Sequence, residues 1–214
     1  EKGAYSTFKG SKWDRGIFPI DSLALLETER GEAIDVSRES LMGLDWAALK
    51  DRVKQVGMRN SLLMACAPTA SIGNLVGAYP CIEPIYKNIY TKSNRNGEFT
   101  IINKYLVSDL RELGLWSDEM LEKIKSANGS IQHIREIPKK LRDLYKEAFE
   151  IDAVDQLKLT AVRGKWIDQS QSHNVFLPAG VSGKVLSNVY LTAWRMGLKT
   201  TYYLRTLGAS QIEK

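Results

Sequence analysis

The chain has 214 residues, 43% hydrophobic and 26% charged, which excludes a disordered or collagen-like polypeptide and allows one sizeable domain or two small ones. Lys and Arg number 30 against 25 Asp and Glu, a formal charge of +5. The excess favours anionic partners such as phosphates, yet its densest spots, Lys139-Lys140 and Lys92 to Arg95, are too brief for a nucleic-acid surface.

Residues 1–20 read as a glycine-punctuated irregular segment anchored by Tyr5, Phe8, Trp13, Ile17 and Phe18. Asp21 predicts the N-cap of a helix from Ser22 to about Arg30, stopped by Gly31, and Asp45 a second helix ending at Gly57. The apolar run Ser61 to Ala67, bounded by Pro68, reads as a buried strand, and Ile72 to Tyr86 as a loop. A hairpin turning at Asn96-Gly97 is expected within Ile89–Ile102. Helices follow from Asn103 to Leu113, from Ser117 to about Ala127, from Pro138 to about Glu150 and from Asp152 to Arg163. An extended stretch at Ser172–Leu177, a helix from Ser182 or Gly183 through Met196, and a β-prone run Lys199–Arg205 complete the chain.

Strands separated by long helical crossovers predict a helix-rich α/β arrangement with parallel pairing. Three or so strands leave open edges, so the chain is expected to be part of a larger sheet or barrel. The longest apolar run has seven residues, far below the roughly 18–20 that span a bilayer, so no membrane partner is expected. The opening Glu-Lys-Gly-Ala-Tyr carries no signal-peptide pattern. Cys66 and Cys81 are expected to be reduced and packed, which fits a cytoplasmic location, and with His133 and His173 they are too sparse for a metal site.

Two motifs are candidates for chemistry. Ala67-Pro68-Thr69-Ala70-Ser71-Ile72-Gly73 follows the expected strand with small and hydroxylated residues whose N–H groups could face an anion, although no P-loop lysine is present. Tyr202-Tyr203 sets two phenols side by side; in a regular strand they would face opposite ways, so a stacked pair requires a local irregularity. A hydrolase grouping of Asp168, Ser170, Ser172 and His173 is disfavoured, because six extended residues cannot supply triad geometry.

The order of several strings carries more information than any one of them. Gly57-Met58-Arg59-Asn60-Ser61-Leu62-Leu63-Met64-Ala65, followed by Pro68-Thr69-Ala70-Ser71, resembles the large (catalytic, alpha) subunit of class I ribonucleotide reductase. Gly10 to Gly16, Cys81-Ile82-Glu83-Pro84, Asn88 to Thr91, Leu113 to Trp116, Asn128 to Gln132, Ile167 to Ser172 and Gly197 to Thr200, leading into Tyr202 to Thr206, continue the resemblance in order.

The resemblance implies the C-terminal part of a ten-stranded α/β barrel, residues 1–214 being incomplete on their own. It implies that Thr69, Ala70, Ser71 and Ile72 hold the diphosphate of a ribonucleoside diphosphate, Ile72 through its N–H alone. It implies that Tyr202 and Tyr203 relay oxidising equivalents toward an active-site cysteine for replacement of the ribose 2′-hydroxyl by hydrogen. No cofactor is then bound by this segment. A tyrosyl or metal-centred radical comes from the small (beta) subunit, and a dithiol of the thioredoxin or glutaredoxin type restores the reductant. The implied partners are that small subunit and the upstream part of the large subunit, which carries the radical cysteine and the allosteric sites. The competing readings are a non-catalytic assembly module of the same fold and a basic nucleic-acid-binding domain.

Overall fold

The computed structural model describes residues 3–37, 43–95 and 97–206. Its helices are α1 (Ser22–Arg30), α2 (Trp46–Val56), α3 (Ala70–Val76), α4 (Lys104–Glu112), α5 (Asp118–Ser126), α6 (Lys139–Leu144), α7 (Ala153–Gly164) and α8 (Gly183–Arg195). Its strands are β1 (Ile89–Asn94), β2 (Gly97–Ile102), β3 (Val175–Leu177) and β4 (Leu204–Thr206). They fall into two compact units, Ile82–Asp152 and the combination of Glu1–Cys81 with Ala153–Lys214.

In the Ile82–Asp152 unit, β1 and β2 form an antiparallel hairpin in register from Ile89 opposite Ile102 to Asn94 opposite Gly97. The expected turn residue Asn96 lies outside the described residues. The helices begin where side chains satisfy their first N–H groups: Asn103 accepts from Tyr105 N and Ser117 from Met120 N. Their apolar stripes meet in a core of Ile89, Leu106, Leu110, Met120, Ile124, Ile131, Ile134 and Ile137. Beside it lies a buried polar cluster. Asn88 donates its N–H to Glu147 Oε1 (2.7 Å) and its amide to Tyr145 O (2.9 Å), and receives the Asn103 amide at 3.1 Å.

This cluster explains why the helix expected over 138–150 is broken. Asn88 takes the carbonyl of Tyr145 and Ile85 O takes the N–H of Ala148, so those groups leave the helical ladder. The chain turns after Leu144 and resumes as a 3-10 turn at Ala148–Glu150.

In the other unit, the aromatic segment before α1 packs as expected. Trp13, Phe18 and Val53 are buried together, with Tyr5, Phe8, Trp46 and Met58 around them. The Asp21 carboxylate does not cap α1; it turns back to accept Phe18 N–H (2.8 Å) and to pair with Lys50. A second core joins Leu157 and Ala161 of α7, Val175 and Leu177 of β3, and Val189 and Ala193 of α8.

Strands β3 and β4 pair in parallel, with α8 as their crossover, and Cys66 bridges Gln171 in parallel as well. The expected parallel pairing is therefore present, in a small sheet without closure among the described residues. The 61–67 run is extended but not buried, since Leu62, Leu63 and Met64 are all more than half exposed. Its segment has a hydrogen-bonded neighbour along one edge, and its apolar side chains are only partly covered. Where a loop was expected from Ile72, the chain forms α3.

Candidate functional site

Three extended segments run in parallel. Residues 169–177 form the middle one. Gln169 N donates to Met64 O (3.2 Å), Cys66 N to Ser170 O (3.3 Å) and Ser172 N to Cys66 O (2.7 Å), so the backbone of 169–172 holds the segment that ends at Cys66. On the other edge His173 O accepts from Tyr202 N (2.7 Å) and Val175 N donates to Tyr203 O (2.8 Å), so His173 and Val175 face the tyrosines. Cys66 and Tyr202 thus flank the middle segment at neighbouring levels, roughly 10 Å apart across two strand spacings.

Two charged side chains fix this frame. The Asp168 carboxylate accepts the N–H groups of Leu63 (2.8 Å) and Met64 (2.7 Å), which sets the register of the first segment. Lys199 donates to the carbonyls of Ile167, Asp168 and Gln169 at 2.8, 3.0 and 2.7 Å. Desolvation lowers the Lys199 pKa, and the Asp168 carboxylate opposes that shift. Asp168 and its neighbours Ser170, Ser172 and His173 do not form a triad. The carboxylate is spent on backbone, and His173 Nδ1 contacts Thr160 Oγ1 at 2.9 Å.

His173 is buried and held neutral, its pKa pushed down to about 4 by burial and then by the Arg163 charge. Arg163 donates to Thr160 Oγ1 (2.8 Å) and to Gln171 Oε1 (3.2 Å). The Thr160 hydroxyl thus accepts from Arg163 while it contacts His173 Nδ1, and the ring tautomer sets the direction of that second bond.

The hydroxylated turn leaves the carboxyl end of the first parallel segment, the end at which α/β folds place ligands. The first bond of α3 is Gly73 N to Thr69 O (2.6 Å), so the N–H groups of Ala70, Ser71 and Ile72 precede the ladder. Thr69 is occupied differently from the expected phosphate contact: its N–H and its hydroxyl both donate to Pro80 O, at 2.8 and 2.5 Å. Ala70 and Ser71 are exposed, as is the Ile72 side chain. Gly73 makes the arrangement possible, because a Cβ there would lie 2.9 Å from Pro80 Cα and 3.1 Å from Ala78 O.

The tyrosine pair is brought together, with ring centroids 4.2 Å apart and planes at 61°. The required irregularity is visible in the ladder. With Val175 opposite Leu204, an unbroken parallel register sends Tyr203 N–H to His173 O. Tyr202 N–H occupies that carbonyl instead, so the tyrosine strand carries one extra residue, a bulge that turns both rings to one side. A hydrogen bond with Tyr203, and then that ring's charge once ionised, raise the Tyr202 pKa above the usual phenol range. The Arg205 guanidinium lies 4.6 Å from the Tyr203 ring centroid, on the face shared by residues i and i+2 of a strand.

Both groups therefore sit on one parallel frame. A cavity of about 270 Å³ lined by Lys12, Glu29, Gln171 and Lys199 includes neither Thr69–Ile72 nor the tyrosines, which lie on an open face. Neither Cys66 nor Cys81 is in a disulfide, and both are half-buried. The sequence signal missed was Asp168, which enters the sequence reading only in a disfavoured hydrolase grouping and in the structure clamps backbone.

A profile described as "Ribonucleotide reductase, barrel domain" matches residues 1–204. Over its whole length the chain is 48% identical to the ribonucleoside-diphosphate reductase subunit alpha of Chlamydia pneumoniae, of which it covers 20%. It is 45% identical, over 99% of its length, to the large subunit of the Trypanosoma brucei brucei enzyme, of which it covers 25%. Among solved structures, the class Id ribonucleotide reductase alpha subunit of Actinobacillus ureae superposes with a TM-score of 0.65 at 28% identity, covering 96% of this chain and 36% of that one. The chain thus spans a fifth to a quarter of these curated relatives, and with the profile matching all but its last ten residues it belongs to the ribonucleotide reductase barrel-domain family.

Proposed function

We propose that this chain is a part of the catalytic large subunit of a ribonucleoside-diphosphate reductase, contributing late strands of a ten-stranded barrel, the substrate diphosphate loop and a tyrosine relay. Residues 1–214 form one contributing segment, completed by the rest of the large subunit and by the small subunit. In this reading the N–H groups of Ala70, Ser71 and Ile72 and the Ser71 hydroxyl hold the diphosphate. Thr69 shapes the turn through Pro80. A site that grips only the diphosphate orients the ribose at a distance and serves every base alike.

Tyr202 and Tyr203 pass the oxidising equivalent delivered by the small subunit. A hydrogen atom, electron and proton together, moves from the phenol of one to the phenoxyl oxygen of the other, which leaves atoms and charge balanced. A dithiol reductant closes the cycle elsewhere in the assembly. The 4.2 Å ring contact carries this reading, because a lone surface tyrosine pair in a regular strand would face apart.

The test is Tyr202→Phe and Tyr203→Phe in the assembled enzyme. Phenylalanine keeps the ring and removes the transferable proton, so turnover falls to background while nucleoside diphosphate affinity stays within about twofold of the parent, well under the tenfold that 1.4 kcal/mol represents. Loss of binding would contradict the division of roles. Full turnover in both variants would leave the non-catalytic assembly module as the better account.

A further inference from the structure

We propose that Asn174 is a positioning residue for the tyrosine pair: by accepting the N–H that the bulge displaces, its side chain keeps Tyr202 and Tyr203 on one side of their strand. The inference rests on the relay reading above for its functional consequence, but its structural core does not.

A parallel ladder gives each inward backbone group one partner. Between Tyr202 N→His173 O and Val175 N→Tyr203 O the middle strand advances two residues, whereas the tyrosine strand must advance three to restore the Val175–Leu204 pairing. The extra residue leaves Tyr203 N–H without its ladder carbonyl. That donor points at Asn174 Oδ1, 3.3 Å away. Asn174 lies on the middle strand between the two residues that bracket the bulge, so a one-carbon side chain ending in a carbonyl reaches the displaced N–H.

The bond lies at an exposed edge, so without Asn174 the N–H is left to water or to the ladder carbonyl, and taking the carbonyl closes the bulge. Tyr203 N–H would then take His173 O, and a one-residue shift in a strand sends a side chain to the opposite face. The tyrosine rings would part. Asn174 acts through backbone geometry alone, and its neutral amide takes no part in the transfer between phenols.

The experiment compares Asn174→Ala, Asn174→Ser and Asn174→Asp in the assembled enzyme, by turnover, by KM for the nucleoside diphosphate and by crystal structures of the variants. Asp keeps an acceptor at the same reach, Ser a shorter one, and Ala none. The expected result is a kcat lowered roughly 3- to 10-fold for Ala, the range that the net worth of one exposed hydrogen bond allows. KM should stay within about twofold, Ser should be intermediate, and Asp should recover most of the loss. In the Ala structure the two rings should lie on opposite faces.

Retained turnover with unchanged ring contact in Asn174→Ala overturns the inference, as does equal loss in Ala, Ser and Asp. If Ala fails to assemble, the Ser and Asp variants decide by the same criteria. If Tyr203→Phe turns over normally, the relay reading fails by itself, and ring placement in the Asn174 variants still decides the positioning role.

Discussion

Glu147 makes the stability of the Ile82–Asp152 unit depend on pH with a sign opposite to that of most carboxylates. The side chain is 6% exposed, and burial pushes its pKa up to about 7 from an ordinary value of 4.5. The nearby Glu150 charge adds to the rise, while the Asn88 N–H bond and Lys87 oppose it. The folded unit therefore holds a proton that the unfolded chain has already lost between about pH 4.5 and 7. Its stability is full below 4.5 and declines as pH rises through 7. At about 1.4 kcal/mol per pH unit the decline is about 3 kcal/mol, which solvent screening at the carboxylate reduces to about 2 kcal/mol. Glu147→Gln keeps the acceptor for Asn88 N–H and cannot ionise. Hydrogen exchange of the α4 and α5 amides, corrected for intrinsic rates, should show protection falling about 30-fold from pH 4.5 to 8 in the parent and staying level in the variant. An equal fall in both, or none in the parent, would refute the assignment of a buried, proton-holding carboxyl.

Gly73→Ala should lower stability by a net of about 1 kcal/mol, because a Cβ within 3.2 Å of the Pro80 and Ala78 backbone outweighs the roughly 1 kcal/mol that alanine gains in a helix. Thermal unfolding gives the sign, and a raised melting temperature would show that the Ala78–Pro80 return is loose. Asp168→Ala removes the acceptor of two N–H groups and should destabilise the first parallel segment by about 2–3 kcal/mol, read as faster exchange at the Leu63 and Met64 amides. Unchanged exchange there would mean that Cys66 pairing alone sets the register.

What could be read from the sequence was local. Asp45, Asn103, Ser117 and Ser182 cap their helices through a bond three residues or fewer away, so spacing suffices to find them. The 89–102 hairpin likewise follows from its turn. What could not be read depended on residues distant in the chain. The break after Leu144 is imposed by Asn88 and Ile85, some 60 residues earlier. Helix α3 contains a glycine that propensity counts against it, and the reason for the glycine is the backbone of Pro80. An apolar run tells that a segment seeks cover, not whether cover is at hand, and so the 61–67 run was read as buried. At the tyrosines the sequence stated the requirement for an irregularity. Its solution, a displaced N–H taken up by Asn174, lies across a strand pair that only the fold brings together.

The two halves of the proposed site share one support. The middle strand presents Ser170 and Ser172 to the segment that carries the hydroxylated turn, and His173 and Val175 to the strand that carries the phenols. Its approach at 167–169 is gripped by Lys199, three residues before Tyr202, and carries Asp168, whose carboxylate holds Leu63 and Met64. Lys199 thus ties the tyrosine strand to the middle strand at the same place where Asp168 ties the middle strand to the segment that leads into the hydroxylated turn. A lysine with all three protons engaged by backbone carbonyls has none to offer a ligand, so its role is to make the spacing between turn and phenols a property of the frame. The fine placement of the rings is then left to the bulge, which moves one strand against its neighbour without moving the turn. Orientation of substrate and alignment of the relay can in this way be set by different residues on the same three strands.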